Sequence, residues 1–265
     1  MPENIKNSYL KLDGIKKTYN PGSVNEVVIF RDFSLAVEKG SFVSVVGSNG
    51  SGKTTLLGLV CGSVPMDGGS ITLDGEDITK LREFERARYI GRVFQSPDMG
   101  TCPALTILEN MSLADNKGGS FGLSRAVDKN RIDFYKTRLE LLRLGLENRT
   151  EQPVGTLSGG QRQALALLMC TLTPIKLLVL DEHTAALDPA SSDNVMALTE
   201  GTVKELGITT LMVTHNLRHA AEHGDRLVML HEGHAVMDIA GEEKAHSTVN
   251  DLLGMFNAIS VECGN

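Results

Sequence analysis

The stretch that decides the fold runs from Phe42 to Thr54 and has the sequence FVSVVGSNGSGKT. Its first part, Phe42 to Val46, is a short apolar run rich in β-branched side chains, which predicts a buried strand. Residues 47–54 match G-x-x-x-x-G-K-[ST], a loop whose backbone N–H groups surround phosphates at the start of a helix. An apolar segment from Thr55 to Val60 follows and fits that helix. Strand, glycine-rich loop and helix in this order predict an α/β fold with a phosphate-binding site.

The residue types in this loop each have a chemical reason. Its three spaced glycines let the backbone take positive φ angles and approach phosphates closely. Lys53 brings a positive charge to the β- and γ-phosphates, and the Thr54 hydroxyl is a ligand for Mg²⁺. A glycine-rich turn without a ligand would leave both side chains unexplained. The predicted nucleotide contacts in this segment are Gly47, Ser48, Asn49, Gly50, Ser51, Gly52, Lys53, Thr54 and Thr55.

A pair of acids follows a second apolar run, Leu177 to Glu182, with the sequence LLVLDE. A buried strand that ends in a carboxylate delivers it to the edge of the sheet where the phosphate loop also lies. Asp181 is predicted to hold Mg²⁺ through water, and Glu182 to orient or deprotonate the attacking water. Without the loop upstream, two solvated acids at a strand end would be the simpler interpretation.

Between these two regions the pattern becomes helical. Thr106 and Glu109 form a predicted capping box that opens a helix. Leucines from 139 to 146 predict a second helix that ends near Glu147, and residues 115–122 predict a polar loop. Strands and helices alternate again after this insertion, and Ser247 is a predicted cap for a last helix. The alternation predicts a mostly parallel sheet covered on both faces.

The composition is that of an ordinary globular protein. Of 265 residues, 41% are hydrophobic and 22% are charged, and the net charge of −7 argues against a broad surface for nucleic acid. The longest strongly apolar run, Ala164 to Cys170, is far shorter than the roughly 20 residues of a spanning helix. The first four residues lack the pattern of a signal peptide, and four widely spaced cysteines favour free thiols. We therefore expect a cytosolic protein with one large domain.

The segment Leu157 to Gln161 has the sequence LSGGQ. Ser158, Gly159 and Gly160 offer a hydroxyl and closely approachable backbone donors at a helix start, which is a second anion site. With the phosphate loop, this motif makes the chain resemble the ABC ATPases over nearly its whole length. The resemblance implies that the signature of one subunit covers the γ-phosphate held by another, in a head-to-tail dimer with two ATP. The predicted contacts across that dimer are Ser158, Gly159, Gly160 and Gln161.

Other residues receive their roles from this resemblance. Gln95 matches the Q-loop, which touches Mg²⁺ and the attacking water, and His215 matches the switch histidine at the γ-phosphate. Asp188 ends the D-loop at residues 185–188, and Tyr19 matches the aromatic residue that stacks on adenine. The predicted catalytic residues are Glu182, His215, Gln95 and Lys53, and the predicted metal ligands are Thr54, Gln95 and Asp181.

The resemblance also implies the fold and its divisions. We expect a P-loop NTPase core with a mixed, mainly parallel sheet, an N-terminal antiparallel β subdomain and a helical insertion. Residues 1–265 would form one nucleotide-binding domain, with an ATP-binding α/β core at 1–94 and 161–265. The helical subdomain, with the Q-loop and the signature, would occupy 95–160.

One residue departs from the family pattern. ABC ATPases usually have proline directly after the catalytic glutamate, and this chain has His183 there. Histidine frees the φ angle and adds a titratable group beside the base. We expect either an effect on turnover or its pH dependence, or a tolerated side chain that points away from the phosphates.

The resemblance implies a membrane transporter that uses ATP and Mg²⁺. The stretches 181–188 and 212–216 are similar to a branch linked to uptake of amino acids, including aromatic ones. The expected partners are a second copy of the chain, integral membrane permease subunits and an extracytoplasmic substrate-binding protein, without nucleic acid. The chain would then lie on the inner face of the cell membrane. The alternative is a soluble ABC ATPase that drives an assembly or repair complex.

Overall fold

The computed structural model describes residues 8–119 and 127–262. Within them the chain forms ten strands in two sheets and nine α-helices. The strands are β1 (Leu10–Tyr19), β2 (Val27–Val37), β3 (Phe42–Gly47), β4 (Gly68–Leu73), β5 (Glu76–Asp77), β6 (Ile90–Val93), β7 (Leu177–Asp181), β8 (Thr209–Val213), β9 (Arg226–His231) and β10 (His234–Ala240). The helices are α1 (Lys53–Cys61), α2 (Glu83–Arg86), α3 (Ile107–Asp115), α4 (Ile132–Glu140), α5 (Gly159–Thr171), α6 (Pro189–Leu206), α7 (Leu217–Glu222), α8 (Gly241–His246) and α9 (Val249–Glu262).

The larger sheet has the strand order β10-β9-β3-β8-β7-β6. Strands β9, β3, β8, β7 and β6 are parallel, and β10 joins β9 through an antiparallel hairpin. The hairpin turns at Glu232 and Gly233, whose φ angles of 44° and 76° suit a tight turn. The sheet is therefore mixed and mainly parallel, as the sequence predicts.

The smaller sheet is antiparallel, has the order β2-β1-β4-β5 and is built from N-terminal residues. Helix α1 packs between the two sheets. Its buried leucines share one apolar core with Phe30 and Leu10 of the small sheet and with Val45 and Val179 of the large one. The predicted N-terminal antiparallel subdomain is confirmed.

The opposite face of the large sheet is covered by α5 and α6. Alternate residues of β7 separate the two faces, because Leu177 and Val179 pack with α1, whereas Leu178 and Leu180 pack with Leu167 of α5. A further apolar core lies among α3, α4 and the middle and end of α5, around the buried Tyr135. This arrangement is an α/β fold with a helical insertion. The boundaries at residues 95 and 160 stay a prediction.

Two details of the helical segments differ from the sequence prediction. Helix α4 ends at Glu140, not near Glu147, and Arg143 and Gly145 take left-handed φ angles of 55° and 69°. Leu142 and Leu146 are buried and Leu144 is partly buried, so the spacing of these leucines indicates burial in a core rather than a continuous helix. The last helix is capped by Thr248 rather than Ser247, since Thr248 Oγ1 accepts from Asp251 N at 3.3 Å.

Other local predictions are confirmed. The Thr106 hydroxyl accepts from Glu109 N and the Glu109 carboxylate accepts from Thr106 N, which completes the capping box of α3. Part of the predicted loop at 115–122 is a turn at residues 116–119, and residues 120–122 lie outside the described residues. Across 8–119 and 127–262, every helix is too short or too polar to cross a membrane.

Candidate nucleotide site

The predicted site residues follow four neighbouring strands. The phosphate loop follows β3, Asp181 ends β7, His215 comes two residues after β8, and Gln95 comes two residues after β6. Strands β3, β8, β7 and β6 are consecutive in the sheet and all parallel. Because the carboxyl ends of parallel strands meet at one edge, the topology gathers these residues there.

The phosphate loop is held tightly against the end of the neighbouring strand β9. A Cβ atom at Gly47 would lie 2.2 Å from the carbonyl oxygen of Leu230, so a larger residue would require the backbone to move. Gly52, directly before α1, has a φ angle of 103°, which L-residues rarely adopt. It also has no side chain to cap α1, which leaves the first N–H groups of the helix to an anion.

The Lys53 ammonium group lies inside the loop. It donates hydrogen bonds to the carbonyl oxygens of Gly47 and Ser48, both at 2.8 Å. Burial lowers the pKa of Lys53, and the nearby Glu182 carboxylate opposes this effect. The Ser51 hydroxyl is buried and has no partner among the described residues. An ammonium group, an unpartnered hydroxyl and uncapped N–H groups fit a bound polyphosphate.

Asp181 is paired with an arginine from the next strand. Arg92 of β6 donates from Nη2 to Asp181 Oδ2 at 2.8 Å, and both side chains are mostly buried. Arg92 pairs with Val179 in the sheet register, so Arg92 and Asp181 lie on the α1 face. The guanidinium also stacks over Phe94, at 4.7 Å from its ring centroid. A permanent cation therefore holds the carboxylate that is predicted to serve Mg²⁺.

Glu182 has a different partner and an unusual backbone. Its Oε2 lies 3.2 Å from Nδ1 of His215, whose side chain is 61% exposed. The φ angle of Glu182 is 46°, a left-handed conformation that is costly for a residue other than glycine. Two backbone hydrogen bonds fix it, from Glu182 N to Val213 O and from Ala185 N to Glu182 O, both 2.9 Å. The chain therefore turns at Glu182, directly after β7, and no longer follows the direction of the strand that ends at Asp181.

His183, the departure from the family pattern, is buried on the side of α6. Its Nε2 lies 3.2 Å from the hydroxyl of Thr199 in the middle of that helix. Burial lowers the pKa of His183 to about 3, and the nearby His219 and His223 act in the same direction. The imidazole is therefore neutral at physiological pH. This agrees with a side chain that points away from the phosphates and argues against a titrating group beside the base.

The remaining predicted ligands are accessible. Thr54 and Gln95 are exposed at the site edge, and together with Asp181 they provide a hydroxyl, an amide and a carboxylate. Such oxygen donors are the ligands that Mg²⁺ prefers, so this residue set fits the ion. Tyr19 is about one-third exposed, and its hydroxyl lies 3.4 Å from Thr55 Oγ1. Its ring is therefore beside the loop, as an adenine contact requires.

The signature segment forms the start of α5. Ser158 caps the helix by accepting from Gln161 N, and the Gln161 side chain accepts from Ser158 N. Gly159 and Gly160 pack closely against the start of α6, because a Cβ on either would lie 3.1 Å from Leu187 or Ser191. Helix α5 covers the face of the sheet opposite to α1. The two predicted anion sites of one chain therefore begin helices on different faces.

Comparisons with known proteins agree with this geometry. Residues 30–185 match the family model described as ABC transporter. The tyrosine transport ATP-binding protein of Clostridioides difficile (strain R20291) is 46% identical over 249 residues, which are 93% of this chain and 98% of that protein. The chain belongs to the ABC transporter family. It is an ABC ATPase, since the ATP-binding cassettes of this family hydrolyse ATP.

Further ABC relatives extend this result. A spermidine/putrescine import ATP-binding protein of Haemophilus influenzae (strain 86-028NP) is 35% identical over 93% of this chain, which spans 62% of that longer protein. The ATP-binding cassette MJ0796, solved as a dimer with ADP and Pi, aligns with a TM-score of 0.73 at 27% identity, over 87% of this chain and 98% of that one. The cassette MJ1267 in its ADP conformation shares the fold, with a TM-score of 0.79 at 24% identity over 97% and 99% of the two chains.

Within this ABC ATPase, the predicted residues divide into two groups. The sheet edge carries the loop residues, Gln95, Asp181, Glu182 and His215. Ser158 to Gln161 begin α5 on the opposite face of the sheet, and Asp188 caps α6 by accepting from Ser191 N at 3.0 Å. Hydrogen bonds from the Ser191 side chain and then from its backbone N–H lower the pKa of Asp188. Asp188 therefore has a structural task in this chain, and its nucleotide contact stays a prediction.

Two residues contact this part of the site although their sequence positions do not predict it. Arg92 is the partner of Asp181, and Thr199 is the partner of His183. A charged residue inside the apolar strand IGRV was a usable signal for Arg92, because buried charge requires a partner. Thr199 gives no comparable signal, since threonine within a helix is unremarkable.

Proposed function

We propose that this chain is the ATP-hydrolysing subunit of an importer for a small solute such as an aromatic amino acid. The observation that carries the proposal is the pair of anion-binding helix starts on opposite faces of the sheet, one of them at the acid-lined edge. The two helix starts belong to helices that cover different faces of one sheet. They suit two nucleotides held between two copies.

In the proposed site, the loop and Lys53 hold the phosphates of ATP. Thr54, Gln95 and Asp181 would hold Mg²⁺, which would supply neutralisation of the charge on the phosphates. Glu182 accepts a proton from the attacking water, and its left-handed backbone directs its carboxylate toward His215. His215 holds that carboxylate in place and contacts the γ-phosphate. Tyr19 stacks on the adenine ring.

The second copy completes each site with Ser158, Gly159, Gly160 and Gln161. The Ser158 hydroxyl accepts one hydrogen bond as a cap and keeps its own proton for donation. A head-to-tail arrangement of this kind is supported by the dimeric form of the similar cassette MJ0796. Hydrolysis would then require closure of the dimer, which links the chemistry to movement of other subunits.

The proposed partners are integral membrane permease subunits and an extracytoplasmic substrate-binding protein. They are supported by the tyrosine transport and spermidine/putrescine import functions of the two relatives. The chain would be peripheral on the inner face of the membrane. Aromatic amino acids are favoured as the substrate class by the 46% identity to the tyrosine transport protein over almost its full length. The relatives do not favour a soluble assembly or repair complex.

The test is co-expression of this chain with candidate permease subunits from the same genome, followed by purification in detergent and reconstitution into liposomes. The proposal expects co-purification and ATP-driven uptake of labelled tyrosine that stops with the Glu182→Gln chain. Excess unlabelled phenylalanine, spermidine and leucine in parallel assays define the substrate class. Co-purification without uptake of any amino acid would refute the substrate assignment. Stimulation of ATPase activity by a soluble scaffold, with no membrane partner, would refute the transporter.

A further inference from the structure

The residue after the proposed base has a specific task in this chain. We propose that His183 is a positioning residue for Glu182, because its imidazole ties the turn that follows the base to the middle of α6 through Thr199. The inference rests on the proposed role of Glu182 as the base. It gives a reason for histidine at a position where ABC ATPases usually have proline.

The position of the proton on the imidazole follows from the hydrogen bonds. The Thr199 hydroxyl lies 2.8 Å from the carbonyl oxygen of Val195, which can only accept. A hydroxyl has one proton, and this contact uses it. The contact of 3.2 Å between Thr199 Oγ1 and His183 Nε2 is therefore a hydrogen bond donated by Nε2–H. The arrangement therefore places a proton on Nε2.

The surroundings keep this hydrogen bond away from water. His183 is 2% exposed and Thr199 is fully buried. Water therefore does not compete for the Nε2–H donor or for the Thr199 hydroxyl. A buried hydrogen bond of this kind fixes the position of both side chains.

Glu182 is the residue that benefits from a fixed turn. Its left-handed backbone, with φ at 46°, is a strained conformation that the surrounding structure must enforce. Two backbone hydrogen bonds hold the turn from the side of β8 and from within. The His183 side chain adds an anchor from α6, sixteen residues along the chain. A shift of this turn would move the Glu182 carboxylate away from His215 and the attacking water, and small displacements of a catalytic group are costly.

The main variant is His183→Leu, which retains apolar volume and removes the donor. We expect kcat to fall by about tenfold while KM for ATP and the affinity for a fluorescent ATP analogue stay unchanged. His183→Gln places an amide N–H near the position of Nε2 and should restore most of kcat. Thr199→Val removes the acceptor and should reproduce the loss. The double variant His183→Leu/Thr199→Val should lose no more than either single variant.

Thr171→Val is the matched control. Thr171 is also a buried helical threonine whose hydroxyl contacts the carbonyl oxygen four residues earlier, Leu167 O at 3.2 Å, without a histidine partner. It should leave kcat unchanged. A second readout uses the nucleotide-free protein, in which the thermal midpoints of the two single variants and the double variant should be non-additive. This coupling tests the hydrogen bond independently of catalysis.

The outcomes separate this inference from the proposed function. Wild-type kcat in both His183→Leu and Thr199→Val, with Glu182→Gln inactive, would overturn the positioning role alone. A loss of kcat that His183→Gln does not restore, although its thermal midpoint returns to normal, would also overturn it. If Glu182→Gln itself turned over ATP normally, the assignment of the base would fail, whatever the His183 variants did.

Discussion

Two glycine-rich segments of this chain precede or begin helices, and the two helices differ in how their N-termini are capped. The phosphate loop is buried at Gly47 and from Ser51 to Lys53. It leaves the N-terminus of α1 without a side-chain cap and encloses Lys53 within its own carbonyl oxygens. The signature segment is exposed at Ser158, and the N-terminus of α5 carries a complete capping box. The first start lies beside two acids, whereas the second packs against the beginning of α6.

The difference indicates which half of the site is ready for a ligand. In the phosphate-loop half, hydrogen-bond donors are held open at fixed positions, and each acid already has a partner, Arg92 for Asp181 and His215 for Glu182. In the signature half, the capping box already satisfies the N–H groups of Ser158 and Gln161, and the Ser158 hydroxyl keeps its proton for donation. We infer that ATP binds first to the loop and that the signature joins later, when a second copy closes over it.

The largest expected effect separates binding from chemistry. Glu182→Gln removes the proposed base and keeps the shape of the side chain. We expect ATP hydrolysis to fall by about 10²- to 10⁴-fold, because this is the usual contribution of a general base. ATP binding should persist, and an ATP-bound dimer should accumulate in size-exclusion chromatography with multi-angle light scattering. Normal turnover would remove Glu182 from its role. If the Glu182→Gln chain stayed monomeric in the presence of ATP, the proposal that the phosphate loop of one copy and the signature of another enclose the same ATP would be contradicted.

The next effect tests the phosphate-loop half alone. Lys53→Ala deletes the ammonium group that the loop encloses, and Lys53→Arg is the charge-conserving control. We expect the affinity for ATP, measured by calorimetry at low protein concentration, to fall by about ten- to a hundredfold, since charge-assisted hydrogen bonds to phosphate are lost. Unchanged affinity in Lys53→Ala would contradict the assignment of this loop.

A smaller effect tests the signature half. Ser158→Asp preserves the cap of α5, because aspartate is as good an N-cap as serine, and it places a negative charge toward the phosphate of the partner site. ATP affinity at low protein concentration should stay within about twofold of wild type, whereas turnover should fall by about tenfold or more. Ser158→Thr retains both the cap and the hydroxyl and should behave normally. A loss of affinity in Ser158→Asp would place the signature beside the nucleotide of its own chain and break the comparison.

The sequence predicts the first half of the site better than its surroundings. The loop, the strands and the acids are contiguous patterns in residues 42–54 and 177–182, so the fold class was predicted correctly. The roles of the site residues stay predictions. The contacts of Arg92 and Thr199 were not predicted because each joins residues that are distant in the sequence. Arg92 reaches Asp181 through the register of β6 on β7, and Thr199 reaches His183 through the packing of α6. The end of α4 was misplaced for a similar reason, since buried leucines continue past the helix.

The smallest expected effect concerns the charge balance of the phosphate-loop half. Arg92 occupies the Asp181 carboxylate at 2.8 Å, so Mg²⁺ must share or displace this cation. Arg92→Met removes the competing charge, and we expect the Mg²⁺ concentration for half-maximal thermal stabilisation by ATP to fall by about three- to tenfold.

Arg226→Met is a matched control, because Arg226 also forms a partly buried ion pair on a strand, with Asp238 at 2.6 Å, away from the carboxyl edge of the sheet. It should leave the Mg²⁺ requirement unchanged. An equal shift in both variants would mean that general loss of charge, not the Arg92 contact, sets the requirement. A higher Mg²⁺ requirement in Arg92→Met would mean that Arg92 orients Asp181 for the ion rather than competing with it. The phosphate-loop half would then depend on an internal cation to receive its metal.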